Sequence, residues 1–192
     1  MVRQSTLRVS LCVLAIFFSG TVRADEHPYA RVRVGDYATY TLKMKVAHLT
    51  MEGVVTQTVI AKTNQEVTIK TTGKLSYMGS PQVLPPREQK IDLTKPYDPT
   101  KFSPQLPQGA EVQVQKLHEG REKIVVGDKS YECTWTEYRI QAKSPGVNLN
   151  SHVKVWMCKN VPMEMVKMVL KVSLRDQSME TVMELQESGS SR

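Results

Sequence analysis

Strict alternation of apolar and polar residues is the feature that most constrains the fold of this chain. From Tyr37 to Val46 every second side chain, beginning at Ala38, contributes to one apolar face, and the positions between them are tyrosine, threonine or lysine. Because successive side chains of a strand point to opposite faces, this pattern predicts a strand with one buried and one solvated face. After residue 24, no segment of twelve residues or more is a convincing helix. The sequence therefore predicts a mainly β fold with little helix.

Further strand-like segments follow one another through short turns. Residues 54–62 and 66–72 are rich in β-branched side chains and flank a three-residue turn, which predicts an antiparallel hairpin. Other strands are predicted at residues 74–78, 111–117, 122–126, 130–140, 152–158, 165–174 and 179–185. With few helices to cover its apolar face, such a sheet must curl, close on itself or pack against a second sheet. We expect a curved antiparallel sheet, either a half-barrel or a sandwich.

Seven of the ten prolines fall between positions 81 and 107. Each proline fixes φ and removes a backbone donor, so a central strand cannot continue through this region. The segment also carries apolar residues such as Ile91, Tyr97 and Phe102, which favours an ordered excursion or lid over a solvated domain linker. We therefore predict a single β-rich domain over residues 25–187 that contains a proline-rich excursion at 81–107. The polar tail at 188–192 is predicted to be disordered.

The first 24 residues have the pattern of a cleaved secretory signal. Arg3 and Arg8 precede a ten-residue apolar run, and the small residues Val22 and Ala24 stand three and one positions before a cut after Ala24. The alternative is a buried N-terminal helix. The apolar run is too short to cross a bilayer, and no later run reaches 18 apolar residues, so no transmembrane span is predicted. We expect a secreted or periplasmic protein.

Cleavage would also change the cysteine count. Cys12 lies inside the signal, which leaves Cys133 and Cys158 in the mature chain. An even number of cysteines in an oxidising compartment predicts a disulfide between them. Two separate buried thiols are the alternative.

Net charge and motifs exclude several functions. The signal contains three arginines and no acidic residue, so its removal lowers the formal charge from +7 by three, to +4. The remaining basic residues are scattered, unlike the clustered lysine and arginine of a nucleic-acid site, so no nucleic-acid partner is expected. No nucleophile elbow, zinc-protease, thioredoxin or phosphate-loop motif is present, so the sequence favours a non-catalytic protein and predicts no cofactor. A hydrolase-type enzyme with an unrecognised site is the rival class.

A copper-handling protein is the third class considered. Met163 and Met165 could offer thioether sulfur to Cu(I), with His152 as a further ligand. Alternatively, the C-terminal methionines line an adaptable apolar surface. That surface motivates the favoured function, which is to bind or carry a lipid or other hydrophobic molecule, or to dock a partner at the cell envelope.

Several short runs resemble exported bacterial β-rich proteins of uncharacterised families. They are residues 34–40 (VGDYATY), 153–156 (VKVW), 160–162 (NVP) and 166–167 (VK). The same runs are distantly similar to periplasmic lipoprotein carriers of the LolA/LolB type. That resemblance implies a half-barrel in which a curved antiparallel sheet holds acyl chains, and it assigns no site residue.

Overall fold

The computed structural model describes residues 27–77, 79–97, 111–144, 147–174 and 177–191, and its nine strands form one antiparallel sheet. The strands are β1 (Asp36–Val46), β2 (Leu49–Lys62), β3 (Glu66–Tyr77), β4 (Ser80–Asp92), β5 (Glu111–Val126), β6 (Lys129–Ser144), β7 (Val147–Met157), β8 (Met165–Leu174) and β9 (Gln177–Ser190). A 3₁₀ turn at Pro28–Ala30 precedes β1, and the described residues contain no α-helix. The predicted mainly β fold is confirmed.

The strand order joins two meanders. It runs β4-β3-β2-β1-β9-β8-β7-β6-β5. Consecutive strands therefore pair, except that β4 and β5 lie at opposite edges and the two meanders are joined by β1 and β9. The predicted hairpin at residues 54–62 and 66–72 is confirmed as part of β2 and β3. Strands β4 and β5 are the two free edges of the open sheet. Because buried side chains from both meanders belong to one core cluster, the sheet curls around a concave apolar face.

Register places the apolar side chains on that concave face. Tyr40 of β1 lies opposite Val55 of β2 and Leu185 of β9, and all three are buried. The period-2 pattern continues on β8, where Met168 lies opposite Val155 of β7. Alternation read from the sequence therefore identifies the buried face of the central strands.

The segment before β1 also packs on the concave face. Tyr29 and Val32 are buried within the core cluster. The Lys62 ammonium donates hydrogen bonds to the carbonyl oxygens of Ala30, at 2.6 Å, and Val32, at 2.7 Å. Ala30 ends the 3₁₀ turn and Val32 follows two residues later, so Lys62 satisfies both carbonyls and fixes this segment to β2.

The structure adds detail to two segments for which the sequence predicts no strand. In the proline-rich excursion at 81–107, a central strand is excluded, and residues 81–92 lie in β4 at the edge of the sheet. Proline is tolerated there because β4 is an edge strand, where the missing N–H need not serve a neighbour. The rest of that excursion from residue 98, like the predicted signal at 1–24, lies outside the described residues.

The C-terminal tail at 188–192, which the sequence predicts to be disordered, is the second segment. Ser188, Gly189 and Ser190 belong to β9 and lie opposite Ala38, Tyr37 and Asp36 of β1. Beyond them the Ser191 amide donates to the Gly35 carbonyl at 2.8 Å. A strand ladder is made by main-chain groups, so a polar tail pairs as well as an apolar one when a free neighbour is available. Arg192 lies outside the described residues.

Predicted segments also join into longer strands at two places. Residues 74–77 continue β3, and the segments at 111–117 and 122–126 are joined through Gly120 in β5. The Trp135 ring covers Gly120 so closely that a Cβ there would lie 2.9 Å from ring atoms.

On this convex face the Lys154 ammonium lies 4.1 Å and 4.6 Å from the ring centres of Trp135 and Trp156. The Trp156 indole N–H donates to Glu122 at 2.9 Å, so the cluster ties β5 to β7.

Candidate ligand-binding cavity

Two cavities lie on the concave face, separated by the residues that follow β4. The β3–β4 cavity has a volume of about 510 Å³ and the β6–β7 cavity one of about 500 Å³. His27, Lys95, Pro96 and Tyr97 line both. These four residues therefore form a partition between the two spaces.

The floor of the β6–β7 cavity is a regular piece of sheet. Thr134, Thr136 and Tyr138 occupy every second position of β6 and therefore face the same side. Met157 and Val155 of β7 lie opposite Thr134 and Thr136. The facing wall is formed by Leu93, Pro96 and Tyr97 among others.

One end of the β6–β7 cavity is charged. Lys159 and Glu164 line it from the loop that joins β7 to β8. The loop is closed by hydrogen bonds from the Cys158 amide to the Glu164 carbonyl, at 2.7 Å, and from the Glu164 amide to the Val161 carbonyl, at 2.9 Å. Val161 and Met163 are buried beneath it. The rim is thus held by both backbone bonds and apolar anchors.

His27 connects the partition to the 3₁₀ turn. Its ring lies 6.1 Å from the Tyr97 ring in an edge-on arrangement and 5.7 Å from the Tyr29 ring. The Tyr29 amide donates to His27 Nδ1 at 3.3 Å, so the imidazole caps the turn as a hydrogen-bond acceptor. Burial lowers the pKa of His27 below its ordinary value, and the nearby Asp92 carboxylate opposes that shift in part. The neutral ring is the form that can accept this hydrogen bond.

Two buried tyrosines lie beneath the partition. The Tyr40 hydroxyl donates to the Met165 carbonyl at 3.3 Å, which joins β1 to the start of β8. Burial raises the pKa of Tyr29, and burial followed by the proximity of Tyr29 raises that of Tyr40 well above the ordinary value. Both phenols are therefore neutral structural groups.

The β3–β4 cavity contains one polar atom without a partner. The side-chain oxygen of Gln57 is buried and accepts no hydrogen bond from the described residues. Gln57 lines this cavity together with Ile69 and Ile91. A buried acceptor of this kind is normally satisfied by water or by a ligand.

The two cysteines of the predicted disulfide are neighbours. Thr134 lies opposite Met157, so one step along the ladder places Cys133 of β6 beside Cys158. Both side chains are buried and the two sulfurs are not bonded in this structure. Burial, together with the adjacent Cys158 thiol and nearby carboxylates, raises the pKa of Cys133 to about 12. A thiol with this pKa is protonated near neutral pH and is a weak nucleophile.

The structure does not bring the three predicted copper ligands together. Met163 and Met165 are buried, whereas His152 is exposed. Met165 lies opposite Met157 and His152 lies opposite Lys171, which is six positions further along β8. At about 3.3 Å per residue, His152 is roughly 20 Å away along the strand. Among the described residues, no group of three His, Cys, Asp or Glu side chains could hold a metal ion.

Comparison with known proteins gives little further information. No protein-family model and no curated protein matches the sequence. Among solved structures, a protein described as exported, with a YMCC-like fold, from Bacteroides fragilis NCTC 9343 is similar with a TM-score of 0.48 and 10% identity; the match covers 83% of this chain and 97% of that chain. The resemblance to an exported bacterial protein is therefore weak, and it does not point to LolA/LolB carriers in particular. A likeness this distant assigns neither a family nor a function.

Sequence reasoning did not find the cavity walls. The residues of the partition are separated by about 70 positions, from His27 to Tyr97, and no local pattern links them. The one available signal was the apolar character of the segment that follows β4.

In the described part of the chain, no helix has the length and apolar character needed to cross a membrane.

Proposed function

We propose that this chain is an exported protein that binds a hydrophobic small molecule in the β6–β7 cavity and catalyses no reaction on it. The observation that carries the proposal is the cavity itself, a space of about 500 Å³ on the concave face of a sheet. Small-molecule sites commonly have volumes of roughly 300–1,000 Å³ and are lined mainly by apolar and aromatic side chains. Tyr97, Tyr138, Val155 and Met157 supply the apolar and aromatic part of the lining.

The lack of covering helices supports the same proposal. In the described residues, no helix other than the 3₁₀ turn at 28–30 covers the concave face, and Tyr138 and Met157 stay partly exposed. A ligand seated between the sheet and Tyr97 would remove this apolar area from water, which is favourable. Met157 adds an unbranched side chain that adapts to ligands of different shape.

The groups around the cavities favour binding over catalysis. His27 is the histidine that lines the described parts of both cavities, and its Nδ1 is occupied by the Tyr29 amide. A general base would need a free nitrogen within hydrogen-bond reach of a nucleophile. The buried Cys133 thiol has a raised pKa, which makes it a weak nucleophile.

Export is proposed from the N-terminal pattern and from the cysteine pair. A cleaved signal ending at Ala24 would deliver the chain to an oxidising compartment, where Cys133 and Cys158 would be expected to form a disulfide. Mass spectrometry of the protein secreted from a bacterial host should find Asp25 as the first residue. Replacing Arg3 and Arg8 with glutamate should retain the unprocessed chain in the cytoplasm. An exported protein that still begins at Met1 would contradict the proposed cleavage.

Ligand binding is tested with the neutral fluorescent probe N-phenyl-1-naphthylamine. We expect the mature protein to bind the probe and Thr136→Phe to weaken binding at least tenfold, because the new ring projects into the cavity. Arg139→Phe is the matched control, since Arg139 is an exposed residue on the convex face of the same strand. Failure of the unmodified protein to bind the probe, or an equal effect of both variants, would overturn the proposed site.

A further inference from the structure

Polar groups are unevenly distributed along the β6–β7 cavity. Thr134 lies opposite Met157, and Lys159 follows Met157 by only two residues. The Thr134 hydroxyl and the Lys159 ammonium therefore lie at the same end of the cavity. Four residues along β6, at Tyr138, the lining is aromatic and the opposite residue is Val153. At about 3.3 Å per residue, this gradient from charged to apolar extends over roughly 13 Å.

Three charged side chains line the β6–β7 cavity, namely the lysines Lys95 and Lys159 and the carboxylate Glu164. The Lys95 ammonium is already paired with Asp92 at 3.2 Å. Lys159 is exposed and forms no ion pair with another described residue, so its ammonium is available to a ligand.

We propose that the ligand of the β6–β7 cavity is a single-chain amphiphile with an anionic head group, bound with its head at Lys159 and Thr134 and its chain directed over Val155 towards Tyr138. This inference rests on the proposed hydrophobic-ligand function. A carboxylate or phosphate accepts hydrogen bonds from an ammonium and a hydroxyl, and bonds that involve ionised groups are stronger than neutral ones. A cationic head placed beside Thr134 would be repelled by the Lys159 ammonium and is disfavoured.

Three probes with the same chain and different heads test this assignment. Palmitate, hexadecanol and hexadecyltrimethylammonium are compared at pH 8 by displacement of N-phenyl-1-naphthylamine, each below its solubility limit. We expect palmitate to bind about tenfold more tightly than hexadecanol, since one partly exposed charge-assisted contact is worth about a factor of ten. The trimethylammonium compound should bind most weakly.

Variants then locate the head group. Lys159→Met should remove the preference for palmitate and leave the hexadecanol affinity within about twofold, because only the charged contact is lost. Lys143→Met is the matched control, since Lys143 is an exposed lysine on β6 that does not line the cavity. Thermal unfolding of each variant verifies that the fold is retained.

The outcomes separate this inference from the function on which it rests. Equal binding of palmitate and hexadecanol, or a preference that survives Lys159→Met, would refute the head-group assignment and leave hydrophobic-ligand binding in place. A preference abolished by Lys95→Met instead would also refute the role of Lys159. If the probe bound but none of the three compounds displaced it, the inference would fall and the proposed function would stand, whereas failure of the probe itself to bind would overturn both.

Discussion

Loss of the proposed Cys133–Cys158 disulfide should lower the free energy of unfolding by an amount that follows from its loop length. The two residues lie one step past Thr134 and Met157, the pair that ends the β6–β7 ladder, and paired Cα atoms in an antiparallel ladder are about 4.5–5.5 Å apart. Disulfides typically join Cα atoms about 4.4–6.8 Å apart, so oxidation requires no large backbone movement. The bridge would close a loop of 26 residues, counted from Cys133 to Cys158 inclusive. In the chain-entropy account, a loop of this length stabilises the folded state by about 3.5 kcal/mol.

Urea unfolding measures this magnitude. With a slope of about 2 kcal/mol/M, a loss of about 3.5 kcal/mol lowers the midpoint by roughly 1.7 M. Oxidised protein is compared with protein that was unfolded, reduced and refolded in reductant, because both thiols are buried and protected in the native state. The double variant Cys133→Ala with Cys158→Ala should behave like the reduced protein, apart from a small packing loss.

Two results would refute this reasoning. Mass spectrometry of the exported native protein should give a mass two hydrogens below that of the reduced chain, and finding two free thiols would show that no bridge forms. If the bridge is present but the oxidised and reduced proteins unfold at the same urea concentration, the loop-closure argument fails for this site.

Three further predictions concern the contacts that shape the concave face and the convex cluster. Lys62→Met should destabilise the fold by about 1–3 kcal/mol, because the carbonyls of Ala30 and Val32 lose their donor. Urea unfolding measures this, and a loss no larger than that of exposed Lys74→Met would contradict it. Gly120→Ala should cost about 1–3 kcal/mol and shift the tryptophan emission, because the new methyl displaces the Trp135 ring, whereas an unchanged spectrum would refute that contact. The lowered pKa of His27 means that the unfolded chain takes up its proton first, so stability should decrease as pH falls from the unfolded value near 6.5 through the lower folded pKa, and should not depend on His27 above that range. The free energy of unfolding should differ less between pH 7.5 and pH 5.5 for His27→Gln than for the unmodified protein. Equal differences for the two proteins would count against a contribution of His27 to the pH dependence.

Strands and their buried faces were predictable because the information is local. Residues 37–46 alternate so regularly that both the strand and its core face, with Tyr40 and Leu42, follow from the period of two. The 54–62 and 66–72 hairpin followed from β-branched runs around a short turn, in which the Thr63 hydroxyl accepts hydrogen bonds from the Gln65 and Glu66 amides.

Local patterns do not specify a segment whose structure depends on a distant neighbour. The prolines of residues 81–92 exclude a central strand but not an edge strand, and only the sheet order makes β4 an edge. The polar residues 188–190 become ordered because β1 offers its main-chain groups on that side, more than 140 positions earlier in the chain. Local composition contains neither fact.

By itself, the sequence determined that this protein is built of antiparallel strands with one apolar face, since each strand's pattern is complete within about ten residues. It also determined a cysteine pair in strands that are close in the chain. Only the tertiary structure decided that β1 pairs with β9, and that His27 and Tyr97 meet above the concave face to divide it into two cavities. Such contacts between distant residues arise from the curl of the whole sheet, which no short window of sequence specifies.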